Sequence, residues 1–230
     1  MTDSIFPSRW APAHPDRIQL YSLGTPNGKK ISIALEELEL PYEAHRLDIM
    51  EGDQFDAEYL RINPNGKIPS IIDPNGPAGE PIALMESGAI LLYLAEKTGK
   101  LMPDEPKLRW EVLQWLMFQM ASVGPYFGQF GHFFKYARDK TSDEYALDRY
   151  TKEAKRLLGV LNDRLEGRDY LVGSSLTIAD IATFPWLDGL GYYGGKDHLE
   201  YGSFANVEPW VKRCNQRPAV VRGVKVCSLD

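Results

Sequence analysis

The chain has 230 residues, enough for one large domain or two smaller ones, each with its own core. Its 43% apolar and 25% charged content is ordinary for a globular protein, and a net charge of −6 argues against a nucleic-acid partner, which needs a clustered basic face. No apolar run approaches the ~20 residues of a membrane span; the best candidate, 89–95, is bracketed by Glu86 and Glu96 and reads as a buried helix face.

The first seventeen residues carry three prolines and no apolar segment of the kind a secretory signal needs. They read as an extended arm, either flexible or pinned down by Phe6 and Trp10. A short strand follows over 18–22. Residues 31, 34, 35 and 38 then form the apolar stripe of a helix over 28–40. Residues 42–48 alternate like a strand after the break at Pro41, and 57–62 is short and helical or irregular. Two brief strands, 70–73 and 82–85, flank the turn DPNGPAGEP. Ser87 is read as the cap of a helix that runs to Thr98 and stops at Gly99. Pattern alone makes this half α/β.

Strand signals vanish after a linker at 101–106, so 107–230 is read as an all-helical domain. The stretch 108–120 is apolar nearly all round and implies burial on more than one side, between domains or between subunits. Residues 124–139, dense in aromatics and glycine, read as an inter-helix loop. Leu147, Tyr150, Ala154, Leu157, Leu158, Leu161 and Leu165 lie on one helical face, and Thr177 to Asp180 has the form of a capping box. The two cysteines, Cys214 and Cys227, fall in this half. They make neither a disulfide framework, a zinc set nor a C-x-x-C pair, and a reducing cytoplasm suits them.

Three junctions carry the chemistry: LYSLGTPNGKK at 20–30, NPNGKIPSIID at 63–73 and ALMESGAILLYLAEKTG at 83–99. Each places short polar side chains or backbone donors where a strand gives way to a turn or helix, an arrangement suited to an anionic ligand. Taken alone, Thr25-Pro26-Asn27 is also an ordinary helix start, and Ser87 an ordinary cap.

In combination these motifs resemble the glutathione transferases, and the Thr25-Pro26-Asn27 element is similar to the nu class of that family. The resemblance covers 18–225. It implies a thioredoxin-like glutathione-binding domain over 18–100, ordered β-α-β-α-β-β-α, followed by the helical bundle. It implies that Thr25 and Asn27 face the glutathione sulfur, with no loop cysteine to act as a nucleophile, Tyr21 placed on the strand rather than in the loop, and Ser22 as a weaker alternative donor. Pro69 is expected to be cis, leaving the Ile68 backbone to pair with the cysteinyl backbone, and Lys67 to meet the glycyl carboxylate. Ser87 is assigned to the γ-glutamyl carboxylate, Glu86 to the α-amino group, and Gly88 to a close backbone approach. Gln54, Gln114 and Arg149 match nu-class positions that reach glutathione, the last two from the helical domain of the same or the neighbouring subunit.

Phe127, Phe130, His132 and Phe133 are assigned to a wall for the second substrate. The resemblance further implies a cytoplasmic homodimer without a metal, using glutathione as co-substrate. Its expected reactions are disulfide and organic hydroperoxide reduction, with weak conjugation. The alternatives are a non-catalytic glutathione-binding regulatory module, or a transferase with a dedicated metabolic electrophile.

Overall fold

The computed structural model describes residues 5–142 and 144–229; the first four residues of the predicted arm, Asp143 and Asp230 lie outside the described residues. The contacts divide the chain into two units, Met1–Lys100 with Pro218–Asp230, and Leu101–Arg217.

The first unit holds a four-stranded sheet in the order β2-β1-β3-β4, built from β1 (Ile18–Ser22), β2 (Tyr42–Arg46), β3 (Ser70–Asp73) and β4 (Ile82–Met85). β1 pairs parallel with β2 and antiparallel with β3, which pairs antiparallel with β4. The parallel pair is joined by α1 (Pro26–Glu37), as a parallel connection requires a crossover. The short α2 (Ala57–Ile62) and the longer α3 (Ser87–Thr98) complete the predicted order. This is a thioredoxin-like domain. α1 starts earlier than the apolar stripe indicated, because Thr25 caps it and Pro26 suits its first turn.

The arm lies on this unit. Phe6 and Trp10 pack against a core of Tyr21, Leu47, Tyr59, Ile62 and Ile72. Ser8 Oγ donates to Glu58 at 2.8 Å, Arg9 pairs with Asp53, and the Ala13 and His14 amides donate to the Glu43 carboxylate at 2.9 and 2.7 Å.

The second unit is helical. α4 (Pro106–Phe118) is capped by Glu105, whose carboxylate accepts from the amides of Lys107 and Leu108. It buries one face through Val112, Trp115 and Leu116, spaced i, i+3, i+4. Trp110 and Met117 are 73% and 55% exposed, so burial on several sides is not realised within the chain. The expected loop at 124–139 is mostly helix: a π-helical turn at Gln119–Val123, then α5 (Gly124–Gly131), then a second π-helical turn at His132–Tyr136. Its glycines are packing devices rather than breakers. A Cβ at Gly131 would stand 2.7 Å from the Tyr193 ring.

α6 (Glu144–Arg164) buries the predicted face from Ala154 to Leu161. α7 (Ile178–Asp188), α8 (Leu190–Tyr193) and α9 (Val207–Asn215) follow. α10 (Pro218–Gly223) belongs instead to the first unit, a correction to the helical domain drawn to the C-terminus. A Cβ at Gly223 would lie 2.7 Å from the Ile33 Cα, and the Gly223 carbonyl accepts from Ser32 Oγ at 2.8 Å. A pattern of apolar spacing identifies a helix but not the neighbour it docks on.

Candidate functional site

Thr25 has extended backbone (φ −76°, ψ 164°) and its Oγ1 accepts from the Gly28 amide at 3.3 Å, a long bond for a helix cap. Thr25 and Asn27 are half-buried, and the first turn of α1 carries no acidic side chain. The positive end of the helix is therefore not neutralised by its own residues. Gly28 is required by sterics. A Cβ there would stand 1.9 Å from the Leu23 carbonyl oxygen and 2.5 Å from Ser22 Oγ.

The neighbouring hydroxyls offer less. Tyr21 is fully buried, stacks on His45 at 4.8 Å, and its pKa is raised chiefly by burial, so it stays a neutral phenol. Ser22 is buried and its hydroxyl lies toward the Leu23 carbonyl at 3.4 Å.

The Ile68–Pro69 bond is cis. The loop before it is held by two residues that sequence reading did not single out. Tyr59 Oη and Asn63 Nδ2 both donate to the Lys67 carbonyl, at 2.6 and 2.7 Å, while Tyr59 Oη also meets Ser70 Oγ at 2.9 Å. The Lys67 side chain is exposed. Gln54 donates from Nε2 to the Ile49 carbonyl at 3.3 Å, and its buried Oε1 has no hydrogen-bond partner. A buried amide oxygen left this way is costly unless a further group supplies a donor.

At the third junction Glu86, not Ser87, is the N-cap residue, and Ser87 is the first residue of α3. Glu86 has φ 68° and ψ 112°, a combination that non-glycine residues rarely adopt. Such backbone strain concentrates at binding and catalytic sites. The Glu86 side chain is exposed, whereas Ser87 is 3% exposed. Lys30 Nζ donates to Ser87 Oγ at 3.2 Å, and Lys30 is fully buried. Lys30 escaped sequence reading although the signal was present, since position 30 falls on the same helical face as 31, 34 and 38.

In the helical unit the predicted residues do not form one wall. Phe127 and Phe130 are fully buried and belong to the core, because i, i+3 spacing on a helix turns both inward. Phe130 stacks on Phe134 and on His198. His132 is exposed, edge-on to Phe133, which stacks on Tyr150. The two fully buried rings thus offer no surface to a second substrate. Gln114 is exposed, and exposed Arg149 lines an open groove with Tyr126, Tyr145 and Lys152.

The cysteines are both reduced. Cys214 is fully buried. Cys227 lies in the first unit rather than the helical one. A Cβ at Gly24 would be 3.2 Å from the Cys227 carbonyl oxygen and 3.1 Å from the Ser228 Cα, so the tail backs the loop that leads to Thr25. Burial pushes the Cys227 thiol up to about 11 against the opposing field of Arg46, which leaves almost no thiolate at neutral pH. Among the described residues no three His, Cys, Asp or Glu side chains are grouped as metal ligands, and no helix is long and apolar enough to cross a membrane.

Comparison with known proteins extends this geometry. Residues 25–97 match the glutathione S-transferase N-terminal domain, and 115–218 the glutathione S-transferase C-terminal domain. The disulfide-bond oxidoreductase YfcG of Escherichia coli is 46% identical over 204 residues, covering 88% of this chain and 92% of that protein. The disulfide-bond oxidoreductase YghU of the same organism is 44% identical over 220 residues, covering 91% and 74%. A glutathione transferase from Burkholderia graminis, solved with two glutathione molecules bound per subunit, is 53% identical with a TM-score of 0.93, covering 94% and 91%. One from Pseudomonas putida, solved with one glutathione disulfide per subunit, is 48% identical with a TM-score of 0.92, covering 94% of each chain.

Proposed function

The chain belongs to the glutathione S-transferase family, and from that membership we propose that it is a glutathione-dependent disulfide reductase whose thiolate belongs to glutathione rather than to the protein. The observation that carries the reading is the start of α1. Thr25 and Asn27 stand half-buried at a helix end whose first turn carries no acidic side chain, while Tyr21 is buried and Cys227 half-buried, both in uncharged form. A free thiol with pKa near about 8.5 is only a few per cent ionised at pH 7. Each unit of depression needs about 1.4 kcal/mol of preferential stabilisation, within reach of two charge-assisted hydrogen bonds and a helix N-terminus.

In the proposed reaction Thr25 and Asn27 donate to the glutathione sulfur, which attacks one sulfur of a disulfide. The S–S bond breaks, the departing thiolate takes a proton, and a mixed disulfide with glutathione remains. A second glutathione thiolate attacks that bond, leaving glutathione disulfide and the second reduced thiol. The same thiolate can attack a hydroperoxide oxygen, releasing an alcohol and a sulfenic acid that a second glutathione converts to the disulfide and water. Conjugation to aromatic electrophiles is expected to be slow. Glu86, Ser87, Lys67, the Ile68 backbone and Gln54 supply the contacts to the peptide, with the orphaned Gln54 Oε1 supporting the last. The relatives solved with glutathione or its disulfide support the ligand class. A cytoplasmic homodimer, with Gln114 and Arg149 reaching glutathione, completes the reading.

The reading is tested by glutathione-dependent reduction of hydroxyethyl disulfide and cumene hydroperoxide beside conjugation of chlorodinitrobenzene. Disulfide reduction is expected to dominate, and the Cys214→Ser, Cys227→Ser double variant to retain most of it. A folded double variant that has lost nearly all activity would place the chemistry on a protein thiol and overturn the mechanism.

A further inference from the structure

Lys30 is fully buried, and no step of the proposed reaction uses it. It shares a face of α1 with Ile31 and Ala34, and its Nζ donates to Ser87 Oγ at 3.2 Å. Ser87 is itself buried and directly follows Glu86, whose backbone sits outside the ordinary basins. An ammonium group has three donors and no acceptor. A serine hydroxyl that receives one of these donors keeps its own proton turned elsewhere. A neutral amine can instead accept that proton and draw it back toward α1. The charge state of Lys30 therefore governs the direction in which Ser87 donates.

We propose that Lys30 is a positioning residue of the glutathione subsite: its ammonium holds the Ser87 hydroxyl as a donor to the γ-glutamyl carboxylate and sets a buried positive charge behind that carboxylate. The inference rests on the assignment of Ser87 and Glu86 to the γ-glutamyl group. Burial favours the neutral amine and pulls the Lys30 pKa down to about 7, while the field of Glu86 raises it. Other charged or titratable groups on the packed elements are paired, neutral or exposed. On α3, Tyr93 and Lys97 both engage Asp73 and Glu96 is exposed; on α10, Arg222 pairs with Glu36; on β1, Tyr21 stays neutral. A carboxylate arriving beside Lys30 favours its charged form, so ligand binding and protonation are linked. Affinity is then highest where Lys30 is already charged, and declines as pH rises from about 7 towards the higher value in the complex.

The test is titration calorimetry with S-methylglutathione, which keeps both carboxylates and the α-amine but has no thiol to release a proton. Measured at pH 8 in two buffers of different ionisation enthalpy, the wild-type protein is expected to take up a net fraction of a proton per site. Lys30→Met is expected to weaken binding about 10-fold or more and to abolish the uptake. Lys30→Arg carries its charge at every pH; it is expected to stay within a few-fold of wild type in affinity, again without uptake. Should Lys30→Met fail to fold, the wild-type and Lys30→Arg measurements decide the matter. Unchanged affinity in a folded Lys30→Met, or proton uptake that persists in Lys30→Arg, would overturn the role of Lys30 alone, and wild-type binding without uptake would overturn its linkage to protonation. Absence of any wild-type binding would remove the glutathione reading, and this inference with it.

Discussion

Two helices of this protein begin with threonine, and they end up doing opposite things. α7 opens on Thr177 with Asp180 three residues on. The Asp180 carboxylate accepts from the Thr177 amide at 3.0 Å and its hydroxyl at 2.9 Å, closing a capping box. It also accepts from the Leu171 amide at 2.8 Å and the Trp210 indole at 3.0 Å, with no solvent exposure. Burial pushes this carboxyl up while the four hydrogen bonds pull it down. α1 opens on Thr25, yet the position matching Asp180 is Gly28, where the nearby Leu23 carbonyl admits no side chain at all. One cap is closed by its own acid and serves the fold. The other has no acid at that position, and in the proposed function its positive end meets an anion brought by a ligand.

Breaking the closed cap has the largest expected effect. Asp180→Ala leaves the Leu171 amide, the Thr177 amide and the Trp210 indole buried without their acceptor, and should cost about 3–5 kcal/mol in stability. Denaturant unfolding measures it; a loss below about 1 kcal/mol would mean that the carboxylate is only a weak organiser of the helical unit.

The open cap should respond in rate rather than in stability. Thr25→Ala and Asn27→Ala are each expected to lower disulfide reduction by about 10- to 150-fold, the worth of one charge-assisted hydrogen bond of about 1.5–3 kcal/mol. Glutathione affinity should stay within a few-fold, because the contacts from the other two junctions remain. The melting midpoint should move only as far as a lost cap requires, about 1 kcal/mol. Unchanged turnover in both variants at saturating glutathione would erase the functional half of the comparison.

The smallest effect sharpens the steric half. Gly28→Ala forces the Leu23 loop to shift and should destabilise the protein by about 1–3 kcal/mol. Activity should fall with it, since the same loop carries Thr25. A variant of wild-type stability would show that the loop has slack and that an acidic residue could have closed this cap too.

Much of this was legible from local pattern. Strand alternation, the Thr25-Pro26 start, the Gly99 stop with φ 65° and the Thr177–Asp180 box are interactions among residues a few positions apart, so spacing alone encodes them. Family resemblance supplied the order of the α/β half. Pattern failed where partners are remote. The glycines at 124, 128 and 131 signalled a loop because they break helices in isolation, yet here Gly131 leaves room for the Tyr193 ring and Gly124 for the Gln119 side chain. Phe127 and Phe130 signalled a pocket because aromatic density looks the same in a wall and in a core.

Local pattern alone encodes the four strands and most of the helices, the family the chain resembles, and the absence of a cysteine from the loop before α1. These follow from backbone sterics and from side chains that act within one or two turns. Only the tertiary structure decided that α10 and the Cys227 tail return to the first unit, that Tyr59 and Asn63 hold the loop before Pro69, and that Lys30 lies buried against Ser87. The physical reason is that burial and hydrogen bonding between distant residues depend on which surfaces meet, and Lys30 and Ser87 stand 57 residues apart until the sheet brings α1 and α3 together.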